Sequence, residues 1–560
     1  MINRKVAAIA GSACLALVLS SCAESEREES PDAAEGSGSE GGTSDAQFVF
    51  GAAGAPTTFD PFYASDGETF RITRQIFQNL IGIEEGGSEP VPELAKSWEG
   101  SDDGLTWTFD LQDGVTFHDG TPFNAEAVCA NFERWYDQNE TGQNDAVTAY
   151  WASDFGGFKG GDESLYDSCE ATDELTAEVT VTRSTGKFPI VLSQSSYAMQ
   201  SPTAMEEFDA NGVETEGEGF VFPEYATDHP TGTGPFTFED YDVQNGTVTL
   251  KRFDDFWGDK AGVETLIFKI IADETSRRQE LDAGTIDGYD LPNPVDWGGL
   301  EESGNQVLIR DPFNILYLGI NPVADQQLVD DDVRMALYMA INRDQLVTSQ
   351  LPEGATVATQ FVPPTIDGYN DDLQPVEYDP DAAEQLLADA GMTDLTLDLW
   401  YPTEVSRPYM PDPQSIYNAV KADWEAIGVT VNPVAKPWAG GYLDGVQQGS
   451  APAYLLGWTG DYNGADNFLG AFFAGDDNEF GTGEYEWAQD LQDGLRAADA
   501  EADPAKRTEL YQQLNADIME WLPGFPISHS PPALVVGPKV QGLVPSPLTA
   551  EDFSTVTISE

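Results

Sequence analysis

Residues 91–128 read VPELAKSWEGSDDGLTWTFDLQDGVTFHDGTPFNAEAV, and this stretch decides the fold class. From Leu105 to Leu111 every second residue is apolar, which predicts a strand with one buried face. The Asp-Gly pairs at 113–114 and 119–120 are typical of tight turns between antiparallel strands. The stretch therefore predicts strands joined by short turns.

Outward from this stretch, further strands and helices are predicted. TVTLKRF (247–253) and ETLIFKII (264–271) repeat the strand pattern. DPDAAEQLLADAG (379–391) and PQSIYNAVKADWEAIG (413–428) predict helices that end at glycine, and the strand VTVNPV (429–434) follows. Strands mixed with helices along the chain, without an internal repeat, indicate an α/β fold.

The N-terminus has the features of an export signal. Two basic residues precede the apolar run 6–19, which is too short to span a bilayer, and LSSC follows, ending at Cys22. This pattern matches the lipobox of bacterial lipoproteins, so Cys22 is expected to carry lipid; the alternative is a signal cut elsewhere, with an incidental cysteine. Residues 23–46 have no aromatic residue and no large aliphatic one, which predicts a disordered acidic tether.

Acidic residues dominate the composition. The 560 residues include 98 Asp and Glu but only 26 Lys and Arg, for a formal net charge of −72. Nucleic acid and anionic lipid surfaces are therefore poor partners. Solubility in a saline medium explains this charge better than recognition of a ligand.

Two cysteines remain once Cys14 leaves with the signal and Cys22 carries lipid. In an oxidising compartment, Cys129 and Cys169 are expected to form one disulfide. A metal site is the weaker interpretation because the whole chain has only three histidines.

Motifs of catalysis are scarce. The sequence has no P-loop, no HExxH and no GxSxG. TGTGPF (231–236) lacks the lysine of a phosphate loop and is interpreted as a turn, as is His118-Asp119. A glycoside hydrolase, which needs a pair of catalytic carboxylates, stays open as an alternative. In a chain with so many acidic residues, no one pair of carboxylates is informative.

Several blocks, in order, resemble the large extracellular solute-binding proteins of peptide ABC importers, the peptide/nickel-binding family (family 5). They are APTTFDPF (55–62), residues 91–128, GTGPF (232–236), RFDDFWG (252–258) and NPVADQQLVDDDVRMALYMAINRDQL (321–346). The resemblance runs from about residue 47 to the C-terminus.

Two further blocks resemble the dipeptide-binding branch of this family. In SRPYMPDPQSIYNAVKADWEAIGV the resemblance implies that Arg407 holds the ligand's carboxylate, and in GWTGDYNGADNF (457–468) that Asp461 takes its α-ammonium. Gly464-Ala465 replaces the usual Asp-Pro, and one residue is inserted between the blocks. These departures bear on ligand length more than on ligand class.

A zwitterionic peptide explains why an acidic residue stands among aromatic ones. Enclosing both charged ends is costly unless each meets a fixed opposite charge. Asp461 and Arg407 would supply these charges, and Gly457, Trp458 and Tyr462 would form the walls. By their position in the family, Ser65 and Gly67 would lie along the cleft. The structural alternatives are a turn-capping role for Asp461 and a surface ion pair for Arg407.

The resemblance implies a periplasmic-binding-protein-like α/β fold with two hinged lobes and an additional domain on the first lobe. The expected ranges are 1–22 for the signal peptide, 23–46 for the tether, 47–78 with 226–310 and 532–560 for lobe one, 79–225 for the additional domain, and 311–531 for lobe two.

The implied function is capture of short peptides, chiefly dipeptides, at the extracellular face of the cell membrane, and delivery to an ABC permease whose ATPases drive uptake. The protein is expected to be a lipid-anchored monomer without catalytic activity, cofactor or metal. Within the fold, the alternatives are an oligopeptide, a signalling peptide, haem or a nickel chelate; from another class, the alternative is a secreted glycoside hydrolase.

Overall fold

The computed structural model describes residues 45–559 except 145, 162, 217–218 and 476–477, and only the backbone at 439–440. The predicted signal peptide, Cys22 and nearly all of the predicted tether lie outside the described residues. Three large sheets organise the described chain.

The largest sheet has seven strands and combines segments that are distant in sequence. In spatial order its strands are Phe236–Asp242, Thr247–Arg252, Thr265–Ile270, Gln47–Ala52, Gly288–Asp290, Ala533–Val536 and Gln306–Ile309. Aromatic residues fill its core: the rings of Phe50 and Phe553 lie 5.1 Å apart. The strands predicted at 247–253 and 264–271 are confirmed.

The stretch 91–128 contributes to a four-stranded antiparallel sheet. Its strands, in spatial order, are Ala95–Gly100, Thr106–Leu111, Thr176–Val181 and Tyr166–Asp173. Phe109 and Leu111 are buried in the core, as the alternation predicts. Gly114 and Gly120 have positive φ angles of 77° and 80°, which explains the Asp-Gly turns. Cys129 on the helix Ala125–Tyr136 and Cys169 on the edge strand form a disulfide.

A mixed six-stranded sheet forms the second lobe. Its strands, in spatial order, are Thr356–Val357, Gly524–His529, Asn314–Ile320, Ala453–Thr459, Thr396–Thr403 and Thr430–Pro437. The two predicted helices are found at Pro380–Asp389 and Pro413–Ala426, and Asp379 and Asp412 cap them.

Smaller elements complete the described chain. The other α-helices are Gly67–Ile76, Ala149–Asp154, Phe188–Val191, Pro202–Glu207, Glu224–Asp228, Glu274–Asp282, Trp297–Glu302, Asp331–Met339, Arg343–Gln350, Leu443–Gln447, Asp466–Phe473, Ala488–Ala500 and Pro504–Trp521. Three two-stranded sheets pair Ile81–Ile83 with Pro90–Pro92, Glu214–Glu216 with Gly219–Val221, and Val540–Gln541 with Thr557–Ile558.

The chain crosses between the two largest sheets at two neighbouring places. Arg310 N donates to Pro532 O at 2.8 Å, and the Asn314 amide donates to Ser530 O at 2.8 Å. These paired crossings match the hinge expected between two lobes, so the predicted two-lobed α/β fold is confirmed. The strands of each large sheet lie within one of the expected domains. The boundaries between the domains stay a proposal.

A buried cluster of four charges lies beside the first crossing. Arg310 contacts Asp290 at 2.6 Å and Glu551 at 2.6 Å, and Arg71 contacts Asp290 as well. All four side chains are at most 4% exposed. Burial alone would raise the pKa of Asp290, but the charges of Arg310 and Arg71 outweigh burial and lower this pKa to about 2. We call Arg71, Asp290, Arg310 and Glu551 the hinge cluster.

Candidate functional site

Two parallel strands of the second lobe diverge at their carboxyl ends. Thr396–Thr403 and Ala453–Thr459 pair only at Leu399 with Ala453 and at Trp400 with Tyr454. Arg407 follows the first strand and Asp461 follows the second. Crevices outside the carboxyl ends of such strands are where open α/β sheets bind ligands, so both predicted anchors stand at a favourable place.

Asp461 is partly buried and only half of its carboxylate is hydrogen-bonded. Tyr150 OH, from the helix Ala149–Asp154, donates to Oδ1 at 3.1 Å. The Asp461 backbone N–H donates to Asn467 Oδ1 at 2.8 Å, which fixes the loop. Oδ2 is buried without a hydrogen-bond partner in the described structure. A buried acceptor left in this way is costly unless a ligand donates to it.

The surroundings of Asp461 favour its protonated form in the structure as it stands. Burial raises the pKa of Asp461 to about 6, and the negative charge of Asp154 acts in the same direction. The Tyr150 hydrogen bond and the positive charge of Arg74 lower it, but by less than burial raises it. An arriving cation would stabilise the ionised carboxylate.

Arg407 lies on a tight turn and has no carboxylate partner among the described residues. Backbone hydrogen bonds between Arg407 and Met410, at 3.1 and 2.9 Å, close the turn. The guanidinium lies 4.4 Å above the Trp438 ring, and its Nε is buried without a hydrogen-bond acceptor. Stacking fixes the plane of the guanidinium and leaves its donors available for an anion.

Gly457 lets the two anchor-bearing segments pack closely. A Cβ at this position would collide with Ile315 O and with the ring of Tyr409, which is two residues from Arg407. Glycine is therefore required for the packing itself, whether or not its backbone also contacts a ligand.

The predicted wall residues differ in their surroundings. Trp458 is half-buried and its Nε1–H donates to Asn467 Oδ1 at 3.4 Å. Tyr462 is only 3% exposed, packs into the core of the additional domain, and donates to Asp466 Oδ2 at 2.6 Å. Tyr462 thus joins the two lobes, and its role as a ligand wall stays a prediction.

Ser65 and Gly67 are exposed where the helix Gly67–Ile76 begins. Among the described residues, no hydrogen bond or ion pair joins either of them to Asp461 or Arg407, so their place along the cleft also stays a prediction. The same helix carries Arg74, whose charge acts on Asp461 and whose own pKa burial lowers to about 10.

Sequence reasoning did not identify Tyr150 or Arg74. They come from segments about 310 and 390 residues before Asp461, and their own sequence neighbourhoods carry no signal for this contact. Asn467 could have been found, because it lies within the quoted segment 457–468.

The two lobes also meet at residues other than the anchors. Asn463 donates to Glu89 at 2.7 Å, and Thr185 donates to Asp499 at 2.8 Å. Lys187 lies 4.0 Å from Asp154 and 3.9 Å from Asp466, so one cation contacts carboxylates of both lobes. The lobes are therefore in contact around Asp461.

Within the described ranges, no cluster of three or more His, Cys, Asp or Glu residues could hold a metal ion. A search of the same residues finds no helix of sufficient length and apolarity to cross a membrane.

Two lobes joined by paired crossings, with Asp461 where they meet, are typical of solute-binding proteins. The chain belongs to the bacterial extracellular solute-binding proteins, family 5, whose middle region matches residues 89–480. The family predicted from the sequence is thus confirmed.

Relatives and a solved structure extend this match over nearly the whole chain. The dipeptide-binding protein of Escherichia coli strain K12 is 31% identical over 524 residues, covering 91% of this chain and 94% of the relative. Heme-binding protein A of Haemophilus influenzae is 30% identical over 560 residues, 98% of each chain. The structure of HbpA2 from Haemophilus parasuis superposes with a TM-score of 0.77 at 27% identity, covering 92% of this chain and 100% of that one.

Proposed function

We propose that this chain is the cell-surface binding lipoprotein of an ABC importer, and that it captures short peptides, chiefly dipeptides, by their charged termini. One observation carries the proposal. Buried polar atoms without partners, Asp461 Oδ2 and Arg407 Nε, belong to opposite charges at the ends of two neighbouring strands.

The peptide's α-ammonium would bind at Asp461. Tyr150 and Asn467 already orient the loop and one carboxylate oxygen, which leaves Oδ2 to accept from the ligand. Because Tyr150 belongs to the additional domain and Asp461 to the second lobe, this anchor is complete only when the lobes meet. Ligand binding is thereby coupled to closure.

The peptide's carboxylate would bind at Arg407. A planar guanidinium can donate two parallel hydrogen bonds to a carboxylate, and its stacking on Trp438 at 4.4 Å restricts its motion before the ligand arrives. With both end charges neutralised, side-chain contacts can stay loose, and water can fill what a small side chain leaves.

The same proposal includes delivery and anchoring. Cys22 would carry the lipid, and residues 23–46 would tether a monomeric body at the extracellular face of the membrane. We propose lobe one as 47–78, 226–310 and 532–560, the additional domain as 79–225 and lobe two as 311–531. The closed form would dock on the permease without chemical change to the peptide.

Haem is the second candidate ligand, because a relative 30% identical over 98% of the chain is named heme-binding protein A. Of the three histidines, His529 is buried and His118 is partly buried, and desolvation lowers the pKa of each to about 4. The unpaired charges at Asp461 and Arg407 favour a short zwitterion over haem.

Calorimetry with defined ligands tests the proposal. Gly-Leu is expected to bind, N-acetyl-Gly-Leu and Gly-Leu amide at least tenfold more weakly, and tetra-alanine and hemin more weakly still. Mass spectrometry should recover the dipeptide intact. Binding of hemin but not of Gly-Leu, or equal binding of the free and blocked dipeptides, would overturn the proposal.

A further inference from the structure

Residues 185–187 of the proposed additional domain pack against the second lobe, apart from the two anchors. Thr185 Oγ1 donates to Asp499 Oδ1 at 2.8 Å, and the Gly186 backbone N–H donates to Asp499 O at 2.8 Å. Asp499 lies near the end of the helix Ala488–Ala500. Thr185 is only 2% exposed, so this contact is shielded from solvent. Two neighbouring residues of one domain are thus bonded to one residue of the other.

Gly186 lets the two surfaces approach closely. A Cβ on this residue would lie 2.6 Å from the backbone oxygen of Glu501, and it would also collide with the Arg507 guanidinium. Both neighbours belong to the second lobe. The backbone of Gly186 is outside the left-handed region, so its own conformation would accept another residue. The need for glycine therefore comes from the contact between the domains.

Lys187 adds contacts between charges. Its Nζ lies 3.9 Å from Asp466 of the second lobe and 4.0 Å from Asp154 of the additional domain. Asp154 lies one turn after Tyr150 on the helix Ala149–Asp154, and Asp466 begins the helix that follows the loop of Asp461. Lys187 therefore connects the two elements that meet at the proposed ammonium anchor.

We propose that residues 185–187 form a latch that stabilises the closed form of the protein independently of the peptide. The additional domain and the second lobe lie on opposite sides of the chain crossings, so opening must break these contacts. Among the described residues, no hydrogen bond or ion pair joins residues 185–187 to Asp461 or Arg407. The latch favours closure without taking part in recognition, so it raises the affinity for every ligand by the same factor.

Small-angle X-ray scattering of the ligand-free protein tests the latch without any assumption about the solute. Gly186→Ala places a methyl group against the backbone of Glu501, so the domains must separate and the radius of gyration is expected to increase. Lys187→Met keeps the apolar stem and removes the charge, and a smaller increase is expected. Gly298→Ala is the matched control, because a Cβ at that position would meet no atom within 4 Å.

Calorimetry with two ligands gives the second measurement. Gly186→Ala is expected to weaken the binding of Gly-Leu about tenfold, and Lys187→Met about threefold, because part of the binding energy must then restore the closed form. Gly-Leu amide should lose affinity by the same factor, because the latch contacts neither end of the peptide. At saturating Gly-Leu, the radius of gyration of both variants should return to that of the unaltered protein.

The outcomes distinguish the latch from the proposed function. If no dipeptide binds to the unaltered protein, the proposed function fails, and scattering from the ligand-free variants still decides on the latch. Equal radii of gyration in Gly186→Ala and Gly298→Ala would overturn the latch, as would unchanged affinity for Gly-Leu or unequal losses for Gly-Leu and its amide. If denaturant titration shows that Gly186→Ala does not fold, Lys187→Met is subject to the same criteria.

Discussion

The hinge cluster and the two proposed anchors treat buried charge in opposite ways. In the hinge cluster each carboxylate contacts an arginine, and Arg310 bridges Asp290 and Glu551 at 2.6 Å each. Asp461 and Arg407 are also drawn from water, yet neither forms an ion pair with a described residue. The paired charges hold two parts of the chain together. The unpaired charges are the ones that we propose to bind the ends of a peptide.

The pKa directions express the same difference. Arg310 and Arg71 overcome the effect of burial and lower the pKa of Asp290 to about 2. At Asp461 burial prevails, and the pKa rises to about 6. Asp290 therefore stabilises the fold as an anion, whereas ionised Asp461 is a cost that a bound ammonium would offset.

Breaking the hinge cluster should have the largest effect on stability. Arg310→Met removes the bridge and leaves Asp290 and Glu551 buried without it, which should lower the free energy of unfolding by about 3–5 kcal/mol. Denaturant titration measures this effect. Lys159→Met is the control: its pair with Asp137 is about half exposed, so a loss of at most about 1 kcal/mol is expected. Equal losses would show that the cluster is not special.

Asp461→Asn should affect binding strongly and stability little. The ligand's ammonium would lose its counter-charge, and the Kd for Gly-Leu should rise by about 10²–10³. The melting temperature should stay the same or increase, because a costly buried charge is gone. Asp398→Asn is the control, since that exposed carboxylate only accepts from Asn432 at 2.9 Å. Unchanged affinity in Asp461→Asn would remove this residue from the anchor role.

Arg407→Ala should separate free peptides from amidated ones. The affinity for Gly-Leu should fall by about 10–10², and that for Gly-Leu amide by much less, because the amide has no carboxylate to lose. Lys436→Ala is the matched control: Lys436 lies 3.6 Å from the Trp400 ring, also as a cation on an aromatic face of the second lobe. Similar losses for both ligands would argue against a carboxylate clamp.

Acidification should weaken binding before it weakens the hinge cluster. The ammonium requires ionised Asp461, so the Kd for Gly-Leu should rise as pH falls through about 6. The neighbouring Asp154, Tyr150 and Arg74 titrate or carry charge as well, and Asp154 has its own pKa raised to about 6 by burial. Comparison with Asp461→Asn shows how much of the pH dependence of the Kd is due to Asp461. The weaker binding of this variant should no longer change as pH falls through about 6 for that reason.

The stability of the fold should respond to pH in the opposite sense at the two sites. Asp461 has a folded pKa above its unfolded value, so its contribution to stability increases as pH falls from about 6 towards 4. Asp290 has a folded pKa below its unfolded value, so its contribution is lost as pH falls below about 4 towards 2. Comparing the melting temperatures of the protein and Asp461→Asn across this range separates the two contributions.

Salt should have the smallest effect. With 98 acidic and 26 basic residues, repulsion at the surface should make the melting temperature rise with ionic strength. The affinity for Gly-Leu should depend less on ionic strength than the melting temperature does, because Asp461 and Arg407 are partly buried. Melting that is insensitive to salt would contradict this expectation.

Local patterns were sufficient for the few strands and helices that were predicted. The alternation at 105–111 and the capped helices Pro380–Asp389 and Pro413–Ala426 were predictable because neighbours in sequence determine them. Asp461 could be singled out because its aromatic and glycine neighbours are contiguous with it.

Contacts between distant segments could not be predicted. Arg71 and Asp290 are 219 residues apart, and Arg310 and Glu551 are 241 apart. In a chain with 98 acidic residues, nothing local marks which carboxylate an arginine will meet. For the same reason, the contact between Tyr150 and Asp461 could not be predicted.

The position of the strand Ala533–Val536 has a consequence for biosynthesis. It lies between Gly288–Asp290 and Gln306–Ile309 in the seven-stranded sheet, so that sheet stays open until the ribosome has synthesised residues 533–536. The edges on either side of the gap would meanwhile be unpaired, which invites aggregation. We expect a nascent chain arrested before residue 533 to need chaperone protection.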